Sequence, residues 1–506
     1  MRRIIAVDFQ VKSHPEVRIV RQSWSLLVAL ALLAIMMGVA ADPSPGRPGL
    51  AGVVNSVTSY FCVRSVMAAS TPAYPAKVEQ TQYRKWNVYK LSNDLVSLYI
   101  APDLGGRAIQ LQLGDHELFF VNKALEGKVL PESENNLRAG WANYGGDKVW
   151  PGPEGWMNDG EWVSIPYYIL DGSPYKTQIV TDTLAEVAVR LTSPEDPRTG
   201  VQFIRTFHVY ADTTRLKVDQ VMRNISRREI RWGIWHLIQN DAADANDPSK
   251  PNPDLYMYIP LNPHSKYPDG YYKPYGDARH PSYEILPGGR MLKVHYLYRV
   301  CKAAADSSVG WYAVVNGQKN TALVENFKYF PDQEYPDGAS VETWNDGPGT
   351  ISRGPFDQVL ADDPGKTPYF LESEGMSPYA QLGPGEEYSY PIYWSPTRMP
   401  NPISSDPTSG GVVSEPLSAK LDGTAVTLKG TFGVYTPGTL QADFLSAMGE
   451  ELGHVTLQDV DPREVVRLDK TVPCPAHAFR VSLTARDRDG WNRGALGNFI
   501  LRPRQF

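Results

Sequence analysis

Along most of this chain of 506 residues, apolar and polar positions alternate in short runs. Leu95–Ile100, Ile109-Leu111-Leu113, Val201-Phe203-Arg205-Phe207-Val209, Leu216–Val221, Trp311–Val315 and Tyr388-Tyr390-Ile392-Trp394 share a period of two. That period puts every second side chain on one face of a strand. Turn chemistry separates the runs: Gly105-Gly106, Gly114-Asp115, and a Tyr-Pro-Asp-Gly tetrad at Tyr267 and again at Tyr335. After residue 80 no long segment carries a helical period. The pattern predicts an all-β protein of many strands, each sheet buried against another.

The length exceeds what one hydrophobic core commonly serves, so two folded units are expected. The composition changes at residues 399–411, Met-Pro-Asn-Pro-Ile-Ser-Ser-Asp-Pro-Thr-Ser-Gly-Gly, which reads as a linker. Residues 83–398 form the larger predicted unit. In residues 412–506 the runs Ala425–Leu428, Leu440–Phe444, Val465–Leu468 and Phe479–Leu483 have the spacing of a small β-sandwich, immunoglobulin-like in shape.

The chain begins differently. Five Lys/Arg against two acids precede the apolar run Leu26–Ala41, and Val39-Ala40-Ala41 puts small residues ahead of Asp42, so residues 1–41 read as an export signal. An uncleaved anchor starting near Trp24 is the second reading; only through it would the chain meet a membrane. In both cases the bulk of the protein is expected outside the cytoplasm: periplasmic, secreted or at the cell surface. Residues 42–82 read as a disordered spacer of Pro, Gly, Ala, Ser and Val. Cys62, Cys301 and Cys474, odd in number and widely spaced, imply no disulfide framework.

A net charge of −6, in a chain whose start is itself basic, gives no reason to expect nucleic acid as a partner. Walker, H-E-x-x-H and Gly-x-Ser-x-Gly motifs are absent, and none of the nine histidines has metal-ligand spacing to another His or to Cys. No cofactor and no structural zinc are expected; calcium is left open.

Four of the twelve tryptophans fall between Trp141 and Trp162, among Asn143, Asp147, Lys148, Trp150, Trp156 and Asn158. Indole rings suit the apolar face of a pyranose, and the amides and charges suit its hydroxyls, so this window predicts a carbohydrate ligand. The alternative is that the rings pack the core of a proline-pinned loop. Further on, Asn224-Ile225-Ser226 leads to His236, and Glu372 and Glu374 share one strand face ahead of Leu382-Gly383-Pro384-Gly385-Glu386.

Together with Leu104-Gly105-Gly106-Arg107-Ala108-Ile109, these segments resemble the galactose mutarotase (aldose 1-epimerase) superfamily over about Trp86–Trp394. The Tyr144–Pro151 block departs from its usual signature and is similar to an uncharacterised bacterial branch. The resemblance implies a large β-supersandwich and a sugar site in which Glu372 is the base and His236 the acid of an epimerase. Arg107, Asn143, Asp147, Lys148, Trp150, Trp156 and Glu342 would bind the sugar, with Glu325 and Trp344 as lesser candidates. Polysaccharide lyase action through Tyr144 and His236, hydrolysis through Glu372 with Glu342 or Asp147, and glycan binding without catalysis are the alternatives.

Overall fold

The computed structural model describes residues 71–155, 161–162, 165, 167–275, 280–353 and 356–502. The leader, most of the spacer and Trp156 lie outside these residues. Thr71–Phe506 is one compact unit, and its described elements are almost entirely strands. No helix among the described residues is long and apolar enough to cross a membrane.

Five strands between Lys77 and Glu117 form an opening meander. The first, Lys77–Tyr83, starts inside the stretch expected as spacer and pairs along its whole length with Trp86–Ser92. Two large sheets follow. One has eleven strands and contains Val201–Tyr210 and Leu216–Asn224, in which alternate residues are buried as the period-two pattern requires. The run Tyr388–Trp394, expected as one strand, is divided between Glu387–Ser389 and Ile392–Arg398.

The other sheet carries the site, and its seven strands are numbered here in chain order: β1 Asp147–Gly152, β2 Ile230–Asp241, β3 Tyr271–Tyr275, β4 Cys301–Ala305, β5 Val341–Asn345, β6 Phe370–Met376 and β7 Ala380–Leu382. Their spatial order is β3-β4-β5-β6-β2-β7, with β1 on β2. From Trp232 to Asn240 every residue of β2 is buried. A strand covered on both faces loses its alternation and reads as a continuous run, Ile-Trp-His-Leu-Ile.

Beyond residue 411 a three-stranded and a four-stranded sheet, all antiparallel, enclose their own core around Leu428, Phe432, Phe444 and Leu483. Segment 399–411 is packed between the two sandwiches. Met399, Ile403, Val412 and Tyr435 share a buried cluster with Tyr258 and Trp311, and Thr214 donates its backbone N–H to Tyr435 O at 2.8 Å.

Candidate functional site

In an antiparallel ladder, directly opposed residues point to the same side. The register sets Trp235 against Trp150 and Met376, Leu237 against Lys148 and Glu374, and Gln239 against Glu372. Glu342 then stands opposite Glu374, Trp344 opposite Glu372, and Lys302 opposite Trp344. All of these occupy one face of the sheet. Above it lies a cavity of about 680 Å³ whose lining includes Trp141, Trp150, Trp235, Trp344, Asp346 and Glu372. Asn122, Asn143, Glu154, Ile165 and Phe370 complete much of its wall.

Glu372 is the centre of one end. Its side chain keeps 13% exposure, Gln239 Nε2 donates to its Oε1 at 2.7 Å, and Lys148 Nζ lies 3.5 Å away. Lys148 sits beneath Trp141 and Trp150, its ammonium 4.7 and 5.3 Å from their ring centres. Burial lowers its pKa to about 8, although Glu372 pulls the other way. Asp346 continues the alternation Glu342-x-Trp344-x-Asp346 and donates its backbone N–H to Phe370 O. Burial, reinforced by the charge of Glu372, holds the Asp346 carboxyl well above the usual carboxylate range.

A second group lies deeper. Lys302 Nζ bridges Glu342 Oε2 at 2.8 Å and Glu374 Oε2 at 2.9 Å, and the Trp235 indole donates to Glu374 Oε2 at 2.9 Å. Burial pushes Glu374 up to about 8 against the pull of Lys302. Burial also disfavours the Lys302 charge, but the two glutamates outweigh it and raise its pKa well above the ordinary value.

His236 does not join this site. It opposes Gly375 and Val149, one residue out of phase with Glu372, and so points to the other side of the sheet. There its Nδ1 lies 3.2 Å from Glu325 and its Nε2 3.5 Å from Asp147, with Trp394 packed on the ring. Asp147 also pairs with Arg205 and accepts from the Ala108 N–H at 2.6 Å. Burial opposes protonation of His236, yet Glu325 and Asp147 outweigh it and raise the pKa. The four residues are a charge network buried between sheets. The expected sharing of one cleft by His236 and Glu372 is corrected accordingly, and Asp147 and Glu325 also leave the site.

Arg107 is likewise displaced from the expected role. Its guanidinium donates to the carbonyls of Gly145 and Asp171, at 3.0 and 2.5 Å, and to the Asp171 carboxylate, tying the Gly105-Gly106 turn to the tryptophan-rich window. Tyr144, a candidate lyase base, is buried and uses its hydroxyl to accept from Leu130 N–H at 2.8 Å. Gly145 and Gly146 have positive φ, and a Cβ on either would stand 2.1 Å from Phe120 O or 2.4 Å from Ala108 O. Only glycine permits this close approach, which delivers Asp147 to one face of the sheet and Lys148 to the other.

The tryptophan window therefore divides. Trp162 is fully buried and stacks on Trp150 at 4.7 Å, while Trp141 is half-buried on the cavity wall. Asn143 also lines the wall, with its Oδ1 accepting from Gly145 N–H at 3.2 Å. The Asn224 turn is structural: its amide donates to Arg228 O and Leu382 O, joining the two motif-bearing turns. Asp346, Lys302 and Trp235 were not singled out from the sequence as site residues. The one available signal for Lys302 is a lone lysine in the otherwise small, apolar run Cys-Lys-Ala-Ala-Ala. Elsewhere, Asp443, Glu451 and His454 bring ligand atoms within 4.8 Å of one another on the small sandwich, with Asp443 already accepting from Gln441 and Thr484.

The family described as a domain of unknown function (DUF4380) matches residues 87–246, which include β1 and β2. Among solved structures, the chain is similar to a TPR-domain containing protein from Parabacteroides distasonis, at 16% identity and TM-score 0.42 over 64% of this chain and 49% of that one. It thus spans about half the length of that relative. A galactose mutarotase-like protein from Clostridium acetobutylicum is 12% identical, with TM-score 0.39 over 64% and 99% of the two chains. A galactose mutarotase related enzyme from Lactobacillus acidophilus is 11% identical, with TM-score 0.37 over 63% and 100%. No curated protein matches the chain.

Proposed function

We propose that the tryptophan-lined cavity binds a sugar and that the protein exchanges its anomers, with Glu372 as base and Asp346 as acid. The carrying observation is the placement of Asp346, whose pKa is raised by burial and by the neighbouring charge, beside Glu372 on the cavity floor. A carboxyl pushed well above the usual carboxylate range, next to a second carboxyl group, suits a push and pull of protons. Glu372 takes the proton of the anomeric hydroxyl while Asp346 gives its proton to the ring oxygen, and the C1–O5 bond breaks. Rotation about C1–C2 and the reverse transfers reclose the ring from the other face. Trp141 and Trp344 offer the sugar partly exposed ring faces, and Lys148 supports the Glu372 carboxylate. The test is anomer exchange of freshly dissolved aldoses, followed by polarimetry or NMR, in the parent protein and in Glu372→Gln.

The same pair of carboxyl groups favours a second reading, hydrolysis of a glycosidic bond. Product analysis separates the two, because an epimerase leaves chain length unchanged. Sugar binding without turnover, insensitive to Glu372→Gln, supports a glycan-binding protein instead. We also propose export, with the mature chain beginning at Asp42; Edman sequencing of protein recovered from outside the cytoplasm tests this.

A further inference from the structure

We infer that Gln239 is a positioning residue for Glu372: its amide fixes one carboxylate oxygen, Oε1, and so turns the other, Oε2, to the ligand as the atom that takes the proton. The inference rests on the reading of Glu372 as the base and adds to it how that base is aimed.

Gln239 stands opposite Glu372 across the β2–β6 pair, so the two side chains leave the sheet on the same face. Gln239 Nε2 donates to Glu372 Oε1 at 2.7 Å, and Lys148 Nζ lies 3.5 Å from the same oxygen. Turning the amide round would set its oxygen against an oxygen of a carboxylate, two acceptors in one short contact. Glu372 lines the cavity, and with Oε1 held from two sides Oε2 is the oxygen left to meet a ligand. The backbone beneath is fixed without help from the side chain. Gln239 N–H donates to Gly146 O at 3.0 Å, and Gln239 O accepts from Phe120 N–H at 2.8 Å.

This arrangement has a cost that a purely structural role does not explain. Gln239 is fully buried, and its Oε1 has no hydrogen-bond partner among the described residues. A buried acceptor left unpaired destabilises the fold, and an apolar side chain of the same length would avoid the loss. The next residue has the opposite character. Asn240 Nδ2 donates to Leu371 O at 3.1 Å and to Ser373 Oγ at 2.9 Å, stitching β2 to β6. The Gln239 amide goes instead to the carboxylate that lines the cavity.

Gln239→Met, similar in length but without the amide, tests the inference in the full-length protein. For anomer exchange of glucose and galactose, kcat is expected to fall at least tenfold with KM within twofold. The acid limb of the pH–rate profile is expected to move to higher pH, because the carboxylate has lost a donor that favours its ionised form. The melting temperature is expected to equal or exceed the parent's. Gln239→Glu, which donates only while protonated, is expected to keep more of the rate than Gln239→Met at the acid end and to lose it as pH rises. A Gln239→Met protein with the parent's kcat and acid limb overturns the assignment. So does a slower one whose melting temperature has dropped and whose limb has not moved. If the parent exchanges no anomers, the reading of Glu372 as base fails, and crystal structures decide the positioning separately: a Glu372 carboxylate turned away in Gln239→Met supports it, and one that is unmoved overturns it.

Discussion

Trp344 stands directly opposite Glu372, while His236 on the neighbouring strand points to the other side of the same sheet. The cavity chemistry and the buried charge network are therefore separable by mutation. Glu372→Gln is expected to lower anomer exchange at least a hundredfold with an unchanged melting temperature. His236→Asn is expected to cost about 3–5 kcal/mol in urea unfolding, since it leaves Asp147 and Glu325 without their shared partner.

Asp346 must carry its proton to act as the acid. Its raised pKa predicts a rate that falls as pH rises through that value, because the ionised form has nothing to donate. Asp346→Asn is expected to abolish exchange and with it the alkaline limb. A pH–rate profile of kcat checks both.

Glu374 links stability to pH. Its pKa is near 8 in the folded chain against an ordinary value of 4.5, so the native state binds the extra proton between those limits. Its contribution is complete below about pH 4.5 and is lost as pH rises towards 8. Glu374→Gln keeps the neutral group at every pH and is expected to flatten this part of the curve in denaturant titrations from pH 4 to 9.

Lys148 acts in the opposite sense at higher pH. With a folded pKa of about 8 against 10.5, the unfolded chain binds more protons between these values, and stability rises with pH there. Lys148→Met is expected to remove that rise. It also strips the ammonium from beside Glu372, so a less firmly held carboxylate and a lower rate are expected from the same variant.

The two sandwiches should unfold together. Tyr435 is buried against the large sandwich, accepts from Thr214 N–H at 2.8 Å and is covered by the Arg215 guanidinium. A single calorimetric transition is expected, and Tyr435→Ala is expected to lower stability by about 3–5 kcal/mol, in the range of large aromatic deletions. Two resolved transitions would count against this coupling.

Period-two alternation alone determined the all-β class. Trp141, Asn143 and Trp150 lie close together along the chain, and all three line the cavity. Which way His236 faces was not legible. Every residue from Trp232 to Asn240 is buried, so the hydrophobic pattern has no polar side by which to tell the two faces of β2 apart. Only the pairing of β2 with β6, and of β6 with β5, places Glu372 beside Trp344 and Asp346 and sends His236 to Glu325. These partners are separated by tens to more than a hundred residues, and a register shift of one would exchange the two sets. The tertiary structure decided the site because strand parity, and not proximity in sequence, selects which side chains share a cavity.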